Sequence, residues 1–305
     1  MASKEFASLR DSIVEAAARS RSSGERFDVE AQRAAAQSSP WPIPADCATS
    51  ALRAGGVPAY WVAASGSSPE RRILYLHGGG WVAGGFGSHG SHAARLAAAT
   101  GCAVLFPEFR LAPEHPFPAA LEDARSAYHW MRQHGPDGAR PASAVFVGGD
   151  SGGGGLALAL LLALRDRREP LPAAAFAFSA VTDLTCSGGS MQTRAAHDIV
   201  INPKIVPEAA ALYCGAADPR SPLVSPLFGE PAGLPPLLLQ VGDAEVMRSD
   251  STRFAERARA AGVDVELEVW PEMFHSFQLC APVLPEGREA LEHVARFVRR
   301  HASRD

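Results

Sequence analysis

Ser151 stands in the run Gly149-Asp150-Ser151-Gly152-Gly153, with a glycine two residues away on either side. Ahead of it lies the short apolar run Ala144-Val145-Phe146-Val147, and behind it Leu156 to Leu164 consists wholly of leucine and alanine. Strand, sharp turn and helix with a serine at the turn present the hydroxyl as a nucleophile, and side-chain-free neighbours let strand and helix come close. A serine hydroxyl is weak at its free pKa. It needs a base to take its proton, an acid to orient that base, and donors for the oxyanion that forms.

The sequence offers all three after predicted strands. His77-Gly78-Gly79-Gly80-Trp81 follows the apolar run Ile73–Leu76. Consecutive glycines expose backbone N–H groups, so Gly78, Gly79 and Gly80, with the N–H of Gly152, are the candidate oxyanion donors, Gly79 and Gly80 foremost. His77 reads as a residue that orders the loop. The candidate base is His275, in Glu272-Met273-Phe274-His275-Ser276-Phe277, between the last predicted strand and the last helix. His89 and His92, three residues apart with no carboxylate nearby, are expected in surface or capping roles and not as metal ligands. His197 falls in an irregular segment and is weighed as a substrate contact. For the acid, Gly242-Asp243-Ala244-Glu245 follows the run Leu237–Val241, and position alone leaves Asp243 and Glu245 open; Asp250 reads as a helix cap.

The elements that must hold these residues alternate. Apolar strand candidates are Ile73–Leu76, Ala103–Phe106, Ala144–Val147, Ala173–Phe178, Leu237–Val241 and Val265–Trp270. Between them helices are expected over Ser88–Ala99, Ala119–Gln133, Leu156–Arg168, Asp250–Ala261 and Arg288–His301. This is an α/β pattern, a mostly parallel sheet covered by helices on both faces. Ahead of a core beginning near residue 47, Phe6, Leu9, Ile13 and Val14 mark an amphipathic helix, and a second helix spans Asp28 to Gln37 with Asp28 as N-cap. Ser187 to Pro222 is polar and irregular and reads as an insertion.

Composition narrows the class. A chain of 305 residues, 47 % apolar, can bury one large core, and its net charge of −4 gives no reason to expect nucleic acid or an anionic membrane as partner. Five scattered cysteines without a C-x-x-C pair argue against a disulfide scaffold or zinc site, and no stretch is apolar and long enough to span a bilayer. A cytoplasmic protein is expected. Gly78-Gly79-Gly80-Trp81-Val82-Ala83 also fits a loose dinucleotide fingerprint, with Glu108 as ribose acid, but an NAD-dependent oxidoreductase has no use for Ser151 or His275. A noncatalytic receptor would not need all three of the serine's partners.

Taken together, His77–Trp81, Phe109-Arg110-Leu111-Ala112-Pro113-Glu114-His115-Pro116-Phe117-Pro118-Ala119-Ala120, Gly149–Gly153, Glu245-Val246-Met247-Arg248-Ser249-Asp250 and His275 closely resemble the bacterial hormone-sensitive-lipase-like esterases of the α/β-hydrolase superfamily. The resemblance covers about residues 70 to 300. It implies an α/β-hydrolase core at 46–186 and 223–305, with a helical cap from 1–45 and 187–222. It favours Glu245 as the acid, with Ser151 as nucleophile and His275 as base. It further implies a serine carboxylesterase for short- to medium-chain esters, or a deacetylase or amidase acting on an acetylated small molecule. No metal or organic cofactor is implied, the partner is a small-molecule ester, and a homodimer is common among such proteins. Three positions depart from the pattern: Glu108-Phe109-Arg110 stands for Asp-Tyr-Arg, Gly152 for alanine, and Ala180-Val181 for Pro-Trp. The last removes a large aromatic near the acyl pocket.

Overall fold

The computed structural model describes residues 3–21 and 27–302. Eight strands form one sheet: β1 (Cys47–Ala54), β2 (Val57–Ala64), β3 (Ser68–Leu76), β4 (Cys102–Pro107), β5 (Ala144–Asp150), β6 (Ala174–Phe178), β7 (Leu237–Gly242) and β8 (Val265–Trp270). Their spatial order is β1-β2-β4-β3-β5-β6-β7-β8. From β4 to β8 every pairing is parallel, while β2 runs antiparallel to both β1 and β4.

The six strands expected from apolar runs are all present. In the hairpin β1–β2 the first strand, Cys-Ala-Thr-Ser-Ala-Leu-Arg-Ala, is an edge strand exposed over most of its length and carries no apolar run. Its signal was the two-residue Gly55-Gly56 turn, across which Ala54 pairs with Val57.

Helices cover both faces. On one, α4 (Ala119–Gln133), α5 (Ser151–Asp166) and α8 (Arg248–Ala260) bury Ala124, Tyr128, Leu160, Leu164 and Phe254 against Leu74, Leu105, Val147 and Leu239. On the other, α3 (Phe86–Thr100) and α9 (Pro285–His301) bury Ala93, Leu96, Val294 and Phe297 against Ile73, Tyr75, Phe146 and Phe178. Strands enclosed on both sides read as unbroken apolar runs, which explains why the central ones were legible. Helix α5 begins at Ser151 itself, five residues before the expected Leu156, because the Gly152–Gly155 run that lowers helix propensity forms its first turn.

The turn into α5 leaves no room for side chains: a Cβ on Gly153 would lie 2.1 Å from the Leu76 carbonyl oxygen. Glycine there lets the helix start directly above the ends of β3 and β5. Near the start of the chain, α1 (Lys4–Arg21) lays Phe6, Leu9 and Ile13 on Met273, Phe274, Phe277, Leu284 and Ala290. The short α2 (Val29–Ala35) is capped by Asp28, whose carboxylate accepts the Ala31 N–H at 3.1 Å. In the irregular insertion two short helices form, α6 (Ser190–Thr193) and α7 (Val206–Cys214). Among the described residues no helix is long and apolar enough to cross a membrane.

Candidate active site

Ser151 sits at the C-terminal end of β5 with φ of 53°, a left-handed conformation that costs a non-glycine residue strain and lifts its hydroxyl clear of the backbone. The hydroxyl donates to His275 Nε2 at 2.8 Å, and His275 Nδ1 donates to Glu245 Oε2 at 2.7 Å. Three loops, after β5, β7 and β8, thus bring serine, imidazole and carboxylate into one line. Glu245 is wholly buried, and its other oxygen, Oε1, accepts the Gly242 N–H at 2.6 Å and the Ser179 hydroxyl at 2.8 Å. Ser179 Oγ in turn accepts the N–H of Ser276, so one hydroxyl joins the acid to the loop carrying the base.

Asp243, the competing acid, points away. It pairs at 3.1 Å with both Arg194 and Arg248. Burial alone would push the His275 imidazole down; the Glu245 carboxylate, by charge and hydrogen bond together, outweighs that and holds it above its ordinary value, with smaller help from Asp198 and Asp150.

The glycine loop is divided in its use. Gly78 N–H donates to Asp150 Oδ1 at 3.0 Å, so Gly78, expected among the oxyanion donors, is instead a tie between the loop and the elbow. The amides of Gly79 and Gly80 donate to no protein acceptor among the described residues. Gly79 has φ of 107°, and its carbonyl accepts the N–H groups of Val82 and Ala83, which closes the loop into a turn. Gly80 and Gly152 stand side by side, since a Cβ on Gly152 would lie 3.3 Å from Gly80 Cα. Three unpaired donors beside a serine hydroxyl are what a tetrahedral oxyanion requires.

Asp150 anchors this assembly from below. Its Oδ1 also accepts the Tyr75 hydroxyl at 2.7 Å, and His89 Nε2 lies 3.6 Å from Oδ2. Burial opposes its charge, but His89 and these hydrogen bonds hold the carboxyl well below its ordinary value. His77 Nδ1 lies 2.7 Å from the Gly78 carbonyl, and its ring stacks on Phe109 with centroids 4.3 Å apart. Burial pulls its pKa down to about 3, so it orders the loop as a neutral ring. His89 and His92, on α3, are buried and not at the surface.

Asp250 also departs from expectation. Helix α8 begins two residues earlier, at Arg248, and Asp250 Oδ2 accepts the N–H groups of Thr182 and Asp183 at 2.7 and 2.9 Å. It fastens the loop after β6 in place of capping its own helix. Asp183 holds the start of the insertion through Thr185, Ser187 and Arg253. Asp198, not singled out from the sequence, binds the insertion to the acid's loop: it is buried and accepts Val246 N–H at 2.8 Å and the N–H groups of Val200 and Ile201. Its neighbour His197 is exposed and does not line the site. Glu108 accepts the Phe86 N–H at 2.7 Å and is taken up in starting α3.

A cavity of about 650 Å³ opens over Ser151 and His275. Phe27, Gln32 and Trp41 wall it from the leading segment, Val200, Ile205, Val206 and Ala210 from the insertion, and Val181, Met247 and Phe274 from the core. No group of histidine, cysteine and carboxylate side chains among the described residues is arranged to hold a metal ion.

The family model described as alpha/beta hydrolase fold matches residues 73–279. The acetyl-hydrolase of Streptomyces hygroscopicus is 43 % identical over 229 residues, 75 % of each chain. The crystal structure of an esterase from the bacterial hormone-sensitive lipase family superposes with a TM-score of 0.90 at 40 % identity, covering 99 % of this chain and 100 % of that one. The esterase EstE5, in a crystal soaked with p-nitrophenyl butyrate, superposes with a TM-score of 0.90 at 36 % identity, with coverage of 99 and 100 %.

Proposed function

Because the chain belongs to the bacterial hormone-sensitive-lipase family of α/β-hydrolase esterases and is a carboxylic ester hydrolase, we propose that Ser151, His275 and Glu245 carry its reaction. The observation behind this reading is the unbroken hydrogen-bonded line from Ser151 Oγ to Glu245 Oε2, next to three amide N–H groups free to donate to an oxyanion.

In the first half-reaction Ser151 Oγ attacks the ester carbonyl carbon while His275 Nε2 takes the hydroxyl proton. The carbonyl oxygen becomes an oxyanion held by Gly79, Gly80 and Gly152 N–H groups. Collapse expels the alkoxide, which receives the proton from His275 and leaves as the alcohol, and the acyl group stays on Ser151. Water then attacks the acyl-enzyme, His275 again first accepting and then returning the proton, and the carboxylic acid departs. Glu245 accepts the Nδ1–H hydrogen bond and fixes that tautomer, so that Nε2 is the free base.

The described residues among the first 45, together with residues 187–222, serve as a cap over the cavity. Phe27 and Trp41 from one and Val200 to Ala210 from the other supply apolar walls suited to short- and medium-chain acyl groups. Val181, where the resemblance leads one to expect tryptophan, leaves the cavity wider beside the serine. The name of the Streptomyces relative supports a second, narrower reading, removal of an acetyl group from a small molecule. The five cysteines are free thiols, which supports a cytoplasmic setting.

The test is turnover of p-nitrophenyl esters from acetate to palmitate by wild type and Ser151→Ala. Loss of activity in the variant and a maximum at short or medium chains are expected. Undiminished turnover in Ser151→Ala would remove the serine mechanism, and a maximum at palmitate would remove the chain-length assignment.

A further inference from the structure

Arg33, on α2, reaches the back of the glycine loop. It does not line the cavity, although Gln32, Ala35 and Ala36 around it do. Its Nε donates to the Val82 carbonyl at 2.9 Å and its Nη2 to the Ala112 carbonyl at 3.1 Å. Glu114 holds the far side of the guanidinium through two further bonds, at 2.6 and 2.8 Å. An ion pair this exposed contributes little by itself, so the contacts that matter are the two to backbone carbonyls.

Val82 O belongs to the peptide group whose N–H, that of Ala83, donates to the Gly79 carbonyl at 3.1 Å. The Gly79 carbonyl in turn belongs to the peptide group whose N–H is that of Gly80, one of the three oxyanion donors proposed above. In a planar trans peptide C=O and N–H point in opposite directions, so fixing the Gly79 oxygen aims the Gly80 N–H. Two peptide groups in series thus join the guanidinium to the oxyanion site, each accepting at its oxygen and donating at its nitrogen. A cation at the head of such a chain polarises every link and makes the last N–H a stronger donor. The Ala112 contact braces the same turn, because Ala112 N–H holds the Trp81 carbonyl at 2.9 Å. Val82, Ala83 and Ala112 also form a small apolar seat on which Phe27 and Ala36 of the leading segment and Leu212 of α7 pack.

We propose that Arg33 is a positioning residue of the oxyanion hole. Through the Val82–Ala83 and Gly79–Gly80 peptide groups it aims and polarises the Gly80 N–H. The hole is therefore complete only while α2 is seated, and a contact outside the cavity sets the rate inside it. This rests on the reading of Gly80 as a donor to the oxyanion formed on Ser151.

The test is Arg33→Met, assayed for kcat and KM on p-nitrophenyl butyrate and for inhibition by trifluoromethyl pentyl ketone. Ser151 Oγ adds to the carbonyl carbon of this ketone, its proton passes to His275, and the carbonyl oxygen becomes an oxyanion that cannot collapse. Loss of a whole oxyanion donor costs about a hundred- to a thousandfold in rate, so a donor weakened and less well aimed should cost about tenfold. In Arg33→Met kcat should fall by about that factor with KM within about twofold of wild type, and the Ki of the ketone should rise in parallel. Glu114→Gln, which leaves both carbonyl contacts in place, should stay within about threefold of wild type. An unchanged kcat in Arg33→Met, a rise in KM alone, an unchanged Ki, or an equal loss in Glu114→Gln would overturn the proposal. If Arg33→Met does not fold, Arg33→Gln, which removes the charge and keeps a polar side chain, is read by the same criteria. A wild type that hydrolyses the ester but is not inhibited by the ketone would instead overturn the oxyanion reading beneath it.

Discussion

The Ser179 hydroxyl donates to Glu245 Oε1 at 2.8 Å while the same oxygen of Ser179 receives the N–H of Ser276, the residue after the base. Acid and base therefore share a hinge pin that never meets the substrate. Ser179→Ala leaves a wholly buried carboxylate one donor short and frees the His275 loop. A charge-assisted hydrogen bond of this kind is worth about 1.5–3 kcal/mol, so kcat should drop by roughly ten- to a hundredfold with KM little changed. Steady-state kinetics on p-nitrophenyl butyrate read both. A change confined to KM would show that Ser179 acts on binding.

Glu245 and Asp243 are separated by one residue, Ala244, and by their partners. Glu245→Gln keeps the shape but presents the wrong group to His275 Nδ1, and should lower kcat by about three to four orders of magnitude. Asp243→Asn removes only ion pairs to Arg194 and Arg248 at the surface, and should stay within about fivefold of wild type. A larger loss in Asp243→Asn would transfer the acid's role to it.

On the proposed mechanism the protonation of His275 sets the acidic limb of activity. Neutral imidazole is then the working base, and its pKa is held above the ordinary 6.5, so kcat/KM should decline as pH falls through that raised value. Glu245→Gln takes away the partner that raises it and leaves burial, which lowers it. In the variant the residual activity should keep its plateau to a lower pH than wild type does. A limb that does not move would mean that another group titrates.

Asp250 bears on stability instead. Burial raises its carboxyl to about 7, against the two backbone N–H groups that favour its charge. A folded-state pKa above the unfolded one means the group stabilises the fold fully only below its unfolded value near 3.8, and that contribution is lost as pH rises through about 7. Asp250→Asn, neutral at every pH, should therefore gain in Tm relative to wild type between pH 5 and pH 8. Thermal unfolding followed by circular dichroism at the two values measures it. A variant that loses ground toward pH 8 would show that the carboxylate is the form the loop needs.

Much of this site was legible because strong local signals marked its pieces. Glycines flanking Ser151, the glycine run after β3 and the histidine after β8 each follow an apolar strand whose end fixes their place. What the sequence concealed were partnerships across long separations. Nothing local marks Gly78 as Asp150's partner, and its amide is no different in sequence from those of Gly79 and Gly80. Ser179 and Asp198 are ordinary polar residues until loops distant in sequence are packed together. His89 and His92 looked like surface residues because polar Ser88 and Ser91 surround them, while the face they turn inward is decided by α3 docking on the sheet. The edge strand β1 is silent for the opposite reason: it needs no apolar face, so periodicity has little to report there.

Helix α1 packs Phe6, Leu9 and Ile13 onto a surface that begins at Met273. An 18-residue helix on its own is marginal in water, so α1 draws its stability from that seat. The seat includes Met273, Phe274 and Phe277, the residues on either side of His275. Loosening α1, although it stands more than 250 positions away in the chain, thus unsettles the loop that presents the imidazole.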